Sequence, residues 1–377
     1  MSAPADPRLF DVVVREGLYG LNREKLAGVL EEMVLLAGGW PETAVPGARA
    51  LLKVNMLAAK GPERGITTHP EVVAAVGLLL QKRGCRVFVG DSPGGAVRGV
   101  ERYWRNCGYL DVCRETGMEL VNFESSGSRE VTVRGRSYHV ALPVLEGFDL
   151  RINLCKFKTH SYCRITCAVK NSFGIVPGLG KAMLHTRSPR PRDLAVNLVD
   201  LYEAARFDLH ICDALIAMDG RGPSTDGRPR PDGVLAAARD GVCMDAALCA
   251  MAGLPPRELD TTRVALDRGL GKPPEEITVD GPRVFRDFDI PRESWLNWVP
   301  PFLGAVAGKL LKAVPRSNSR CTGCGFCARS CPVKAIEVRN GRAVMKKGKC
   351  IMCLCCHELC PENAVEVRIP LLRRGGR

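Results

Sequence analysis

Eight cysteines near the end of the chain repeat one spacing. Cys321, Cys324, Cys327 and Cys331 stand as C-x2-C-x2-C-x3-C before Pro332, and Cys350, Cys353, Cys356 and Cys360 repeat the pattern before Pro361. Thiolates so spaced bind iron-sulfur cubanes. Three wrap one corner of a cluster, and the fourth, past a turn fixed by proline, reaches the other cluster. One [4Fe-4S] cluster is therefore expected on Cys321, Cys324, Cys327 and Cys360, and a second on Cys350, Cys353, Cys356 and Cys331. Zinc also uses paired C-x2-C spacings, but it needs neither the third cysteine, nor the trailing Cys-Pro, nor the duplication. Cys355, between two ligands, is expected to pack near a cluster without ligating it.

This stretch, residues 319–369, resembles a bacterial-type two-cluster ferredoxin domain. Ala335-Ile336-Glu337-Val338 follows the first motif as Ala364-Val365-Glu366-Val367 follows the second. Each run reads as a short strand closing one half of a pseudo-symmetric α+β unit.

A chain of 377 residues is long for one domain, so a large domain of residues 1–294 is expected before this small one. Hydrophobic residues make up 46% of the chain, enough for a sizeable core. Nine further cysteines are scattered outside the cluster motifs. The first residues, MSAPADPRLF, lack the basic and apolar regions of a secretory leader, so a reducing cytoplasm is expected. No window reaches the ~18 apolar residues of a membrane span. The net charge is +13, and from Ser319 onward 12 Lys or Arg face 4 Asp or Glu. Two oxidised clusters with their thiolates add roughly −4, leaving that unit mildly basic and weakening any nucleic-acid reading. Residues 370–377 read as a solvated basic tail.

The elements that must serve these clusters come earlier in the chain. Arg23 to Leu36 has helical spacing, and residues 1–50 as a whole read as helical. A strand at Leu51–Met56, a helix at Glu71–Arg83 and a strand at Cys85–Gly90 form a βαβ unit, which implies a parallel sheet. Thr68 or His69 is placed to cap that helix, with Pro70 in its first turn. Further strands are expected at Asp149–Leu154, Asp208–Ala214 and Gly233–Ala238, and a helix at Val242–Ala252. The fold class is thus α/β: a mainly parallel sheet flanked by helices, plus the small α+β cluster unit. Open parallel sheets bind ligands beyond the carboxyl ends of their strands. Lys53, Asn55, Asp91 and Ser92 fall there, as do Lys156, Lys158 and His160. Lys170, Asn171, Lys181, His185 and Asp219 follow in or beside flexible loops.

Over residues 48–255 the chain resembles the family called domain of unknown function 362 (DUF362). The resemblance is carried by Lys53-Val54-Asn55, Thr67-Thr68-His69-Pro70, Gly90-Asp91-Ser92-Pro93-Gly94, the Asn153-to-His160 run, Lys170-Asn171-Ser172-Phe173-Gly174 and Ala217-Met218-Asp219-Gly220. Members often carry a ferredoxin-type domain. The resemblance implies the fold and the fusion but no settled activity.

Lys53, Lys156, Lys158, Lys170 and Lys181 supply cations, and loop amides beside Gly174 and Gly178 could cradle an anion. Together they suggest a pocket for a phosphate- or carboxylate-bearing small molecule; singly, each lysine is more often a solvated side chain. His69, His160 and His185 are candidate proton-transfer groups, with helix capping the plainer role for His69. Cys163 and Cys167, four apart, would share a helix face near Cys155; buried packing is the default and a third metal site the alternative. Neither a G-x-G-x-x-G turn nor a G-x-x-x-x-G-K-[ST] loop occurs, which leaves a further cofactor such as flavin undefined. Residues 295–318, with Trp295, Trp298 and an apolar run, read as a linker docking the two units, with membrane-surface contact as the lesser reading. The leading expectation is a redox enzyme that passes single electrons between two [4Fe-4S] clusters and an anionic substrate or cofactor in the large domain. The alternatives are a non-catalytic carrier whose large domain docks a partner protein, and, more weakly, a redox sensor.

Overall fold

The computed structural model describes residues 9–95, 99–188, 190–223, 227–282, 285–291, 314–351 and 353–368. Most of the expected linker and the basic tail lie outside these residues. The large sheet contains β1 (Val12–Arg15), β2 (Arg49–Lys53), β3 (Arg86–Asp91), β4 (Glu119–Asn122), β7 (Leu150–His160), β9 (Leu209–Gly220), β11 (Val234–Ala238) and β12 (Val279–Asp280). Its order is β12-β1-β11-β9-β7-β2-β3-β4. From β9 to β4 the pairing is parallel throughout; β11 runs antiparallel to both β9 and β1. β8 (Arg164–Thr166) and β10 (Gly227–Arg230) fold back on the long ends of β7 and β9.

Strand side chains alternate between faces, and both faces are apolar here. Ala50 and Leu52, Val87 and Val89, and Ile152 and Leu154 pack against the helices Arg23–Leu36, Pro70–Lys82 and Tyr109–Thr116. Leu51 and Phe88 point the other way, onto the hairpin of β5 (Ser128–Val133) and β6 (Arg136–Ala141) and the helix Pro191–Ala205. On that second face Val12, Val14, Cys212 and Ala236 meet the helix Gly241–Met251. The result is a three-layer α/β/α domain. The opening segment is not uniformly helical as expected: among its described residues only Arg23–Leu36 is, because Val12–Val14 is a β-branched run buried as a strand.

The cluster unit pairs β13 (Val314–Ser317) with β16 (Val365–Arg368), and β14 (Ile336–Arg339) with β15 (Arg342–Met345). Its pairing thus begins at Val314, five residues before the expected boundary at 319. The backbone repeats as the sequence does. Gly325 and Leu354 both adopt the left-handed region before the short helices Phe326–Arg329 and Cys355–Glu358, and Lys334 and Asn363 adopt it after the fourth cysteines.

One buried ion pair sits within the large domain's core. Lys156 Nζ lies 2.7 Å from Asp213 Oδ2, and both side chains are wholly inaccessible. Asp213 also accepts the amides of His69 and Leu215. Removing one partner leaves a buried charge, a loss of about 3–5 kcal/mol. Lys156→Met should lose that much in anaerobic urea unfolding while cluster absorbance stays unchanged, and Lys156→Met/Asp213→Asn should regain part of it. An unchanged midpoint for the single variant would show that Lys156 is not structural.

Candidate functional site

The carboxyl ends of β2, β3 and β7 do not open to solvent. The cluster unit sits over them, and between the two lies a chamber of about 70 Å3. Lys53, Asn55, Asp91, Ser92, Lys158 and His160 come to it from the strand ends, and Thr166 from β8. The segment Lys170–Gly174 and the helix Gly180–Arg187 form one side through Lys170, Asn171, Phe173, Lys181 and His185. Ser330, Cys355, Glu358 and Leu359 of the cluster unit form the roof. Lys60 bonds Asn363 across the same junction, and His160 Nε2 lies 3.4 Å from Glu358. A side chain on Gly94 or Gly95 would collide with Leu359, and on Gly95 with Ser330 as well, so close approach requires glycine there.

The lining is tied together by amides. Asn171 Oδ1 accepts from Lys53 Nζ at 3.1 Å and from Asn55 Nδ2 at 2.9 Å. Asn171 Nδ2 donates to Asn153 Oδ1 at 2.7 Å, and Asn153 Nδ2 meets His210 Nδ1 at 3.0 Å. Asn55 Oδ1 accepts from Lys158 Nζ at 2.7 Å. Lys53 also pairs with Asp91 at 2.8 Å, and Asp91 accepts the amide of Met56. Lys181 donates to Ser92 and to Val176 O. Lys170 has neither a hydrogen bond nor an ion pair among the described residues; its ammonium lies 5.9 Å from the Phe173 ring centroid.

Four lysines therefore line a chamber whose carboxylates are Asp91 and Glu358. Desolvation dominates the ionisation of Lys53, Lys158, Lys181, Asp91 and Glu358. Burial pushes Lys158 well below the ordinary lysine value, with Lys170 and Lys156 adding repulsion. Burial lowers Lys181 to about 8. It lowers Lys53 and raises Asp91, each opposed by the other's charge. His160 is held well down by burial and then by Lys170, and its Nδ1 already accepts the amides of Tyr162 and Cys163. Burial and Lys170 lower His185 to about 4. The two chamber histidines are thus neutral near pH 7.

Four expected features fall elsewhere. Lys156 turns to Asp213, away from the chamber. Asp219 is held by Arg228 and Arg230 at the far end of β9. His69 is the N-cap of the helix Pro70–Lys82, its Nδ1 accepting from the Glu71 amide. The Gly178 amide cradles an internal anion, the carboxylate of Glu124. Conversely, Asn153, Thr166, Ser330 and Glu358 were not singled out. Asn153 opened a noted run, but Ser330 and Glu358 join the site only through docking of the cluster unit.

Within that unit, two small cavities each gather four of the eight spaced cysteines. One is lined by Cys321, Cys324, Cys327 and Cys360, the other by Cys331, Cys350, Cys353 and Cys356. The amides of Ala335 and Ala364 donate to the sulfurs of Cys331 and Cys360 at 3.2 Å, and Ala343 to Cys321 at 3.4 Å. Amides aimed at sulfur stabilise thiolates, so the donor set fits iron-sulfur clusters. Cys355 lines both the second cavity and the chamber.

A second sulfur cluster differs. Cys155, Cys167 and Cys212 lie within 4.8 Å of one another in the core, while Cys163 stands apart because Arg164–Thr166 is a strand and no helix links it to Cys167. Here Cys155 donates to Ile211 O, and among the described residues no amide donates to these three sulfurs. Burial pushes Cys167 and Cys212 toward the neutral thiol. Cys155 shifts the other way: its burial is outweighed by hydrogen bonds from Cys167 and Cys212, which lower it to about 6, so the three sulfurs share one buried set of hydrogen bonds. No disulfide joins any of the chain's cysteines.

Comparison with known proteins accords with both units. The family model described as "Domain of unknown function (DUF362)" matches residues 50–250, and the 4Fe-4S dicluster domain matches residues 313–361. The thylakoid-associated protein sll1697 of Synechocystis sp. is 36% identical over 244 residues, covering 64% of this chain and 74% of its own length. A crystal structure of a Thermotoga maritima protein aligns at 14% identity and a TM-score of 0.38, over 57% of this chain and 55% of that one. No described helix is long and apolar enough to cross a membrane.

His185 offers a pH test of the chamber. Its lowered pKa means that below about 6.5 the unfolded chain takes a proton the native one refuses, so stability falls as pH drops toward 4. Between pH 7 and 5 the wild type should lose about 2 kcal/mol more than His185→Gln in anaerobic denaturant titrations. Parallel curves would place His185 in contact with water.

Proposed function

The chain belongs to the DUF362 family and carries a 4Fe-4S dicluster domain, and from that premise we propose that it is an iron-sulfur redox enzyme whose reaction site is the chamber beneath the cluster unit. The observation that carries this reading is the shared wall: Cys355 borders both the chamber and the cavity of Cys331, Cys350, Cys353 and Cys356. We assign those four cysteines as ligands of one cluster and Cys321, Cys324, Cys327 and Cys360 as ligands of the other. Bound clusters of this kind supply single electrons.

The chain's own residues do the rest. Lys53, Lys158, Lys170 and Lys181 hold an anionic reactant against the wall, and the neutral histidines and Lys158 are the groups able to move a proton beside it. The cluster unit covers the chamber and limits its access to water, which strengthens the charges inside. Electrons arrive through the other sulfur cage, where Cys324 is exposed in a groove whose charges are mixed, Lys60, Arg102 and Arg329 beside Glu101 and Glu362, a polar surface for a redox partner. A carrier reading also draws on that groove, and the relative's name, thylakoid-associated, fits a partner at a membrane. Free thiols throughout the large domain suit a reducing compartment, and we place the chain in the cytoplasm.

The two readings separate in one assay. Anaerobically purified protein, its clusters reduced, is mixed with fractions of a small-molecule extract, and cluster re-oxidation is followed by absorbance. The enzyme reading expects one fraction to re-oxidise the wild type at least about tenfold faster than buffer, and Lys158→Met, with an unchanged cluster spectrum, to lose that acceleration. Re-oxidation by protein fractions alone would establish the carrier.

A further inference from the structure

We propose that the chamber takes a small oxyanion, a carboxylate or phosphate compound of about five or six non-hydrogen atoms, bound by Lys170, Thr166 and Ser330. The proposal rests on the reading of the chamber as the reaction site and narrows what can occupy it.

Three independent features converge. The first is charge. Lys53, Lys158, Lys170 and Lys181 outnumber Asp91 and Glu358, and Lys170 alone of the four lysines makes no hydrogen bond or ion pair among the described residues. A cation would meet like charge, whereas an anion gives the half-buried Lys170 ammonium the counter-charge it lacks among the described residues.

The second is hydrogen-bonding capacity. Thr166 Oγ1 and Ser330 Oγ are buried and have no partner. Their side chains belong to residues only 2% and 1% exposed, and both residues line the chamber. Buried hydroxyls are normally satisfied, so two orphans on one cavity point to a polar guest. They come from opposite walls, β8 below and the cluster unit above. An oxyanion between them would accept from both hydroxyls and from Lys170, as carboxylate and phosphate oxygens do.

The third is size. One water needs roughly 10–15 Å3 measured in this way, so 70 Å3 holds about five non-hydrogen atoms. Pockets for drug-sized ligands run to about 300–1,000 Å3. A flavin or a nucleotide does not fit beneath the docked cluster unit, whereas phosphate and two- or three-carbon acids do.

The test uses anaerobic holoprotein and isothermal titration with inorganic phosphate, with pyruvate and with flavin mononucleotide, alongside the electron paramagnetic resonance spectrum of the reduced clusters. Either anion should bind one to one and shift that spectrum; which of them does so distinguishes phosphate from carboxylate. Lys170→Met should weaken binding about tenfold or more and Thr166→Val several-fold, with cluster content unchanged. The proposal fails if neither anion binds or if Lys170→Met binds as tightly as wild type. Stoichiometric flavin binding lost on Lys170→Met would also overturn it, by size. Re-oxidation by a small-molecule fraction, still dependent on Lys158, would in each failing case leave the reaction-site reading standing; its absence would remove both.

Discussion

Burying several ammonium groups at the carboxyl ends of a parallel sheet is the constraint around which this chain is arranged. Each such group must recover the hydrogen bonds it loses on leaving water, or shed its proton. Lys156 is answered by Asp213, Lys53 by Asp91, Val54 O and Asn171, and Lys181 by Ser92 and Val176 O. Lys158 receives only neutral acceptors, Asn55 Oδ1 and Ile66 O, and its ionisation is pushed down furthest. The three asparagines make this arrangement cooperative. Each uses its oxygen and its nitrogen on different elements, linking His210 on β9 to Lys158 on β7 by way of Asn153, Asn171 and Asn55. His210 is pushed down to about 3 by burial, which fits a neutral ring whose Nδ1 accepts from Asn153. Such a network is costly to break in part and rigid when complete.

The cluster unit is a duplicated structure, and its two halves have different surroundings. The half containing Cys355 and Glu358 turns toward the strand ends, while Cys324 of the other half remains exposed. The internal repeat therefore offers two equivalent sulfur cages and a single asymmetric docking. Leu354 shows the cost of duplication. It holds the left-handed conformation that Gly325 holds in the first half, a conformation that disfavours a branched side chain.

Legibility in the sequence followed the range of the interactions. The helices Arg23–Leu36 and Pro70–Lys82 were readable because local spacing and capping residues specify them. The cysteine sets were readable because duplication at fixed spacing is itself the signal, and each set indeed lines one cavity. β1 was not, since a four-residue strand between two others is stabilised by partners far along the chain. The site residues divided on the same principle. Lys53, Asn55, Asp91 and Lys158 follow from strand ends alone. Lys156 and Lys158 look equivalent in sequence, yet the pairing with β9 breaks between their partners Asp213 and Met218, and Lys156 meets Asp213 while Lys158 reaches the chamber. Asp219 belongs to arginines on β10 that no local pattern associates with it. Ser330 and Glu358 enter by docking, the least local event of all.

Placing the roof on the same chain as the floor has a kinetic consequence. A separate ferredoxin would have to find the strand ends by diffusion and leave again, exposing the chamber's lysines between visits. Covalent fusion raises the local concentration of the cluster unit to the millimolar range or above. The docked state then prevails, and the chamber's charges stay shielded from competing counter-ions. Yet a closed roof also governs access. Anything that enters must either be small or wait for the roof to lift, and lifting it breaks the approach of His160 to Glu358 and the bond of Lys60 to Asn363. Both contacts are polar, the His160–Glu358 approach is nearly buried, and Leu359 packs closely over the bare backbone of Gly94 and Gly95. The junction is thus close-fitting and fastened from within the chamber.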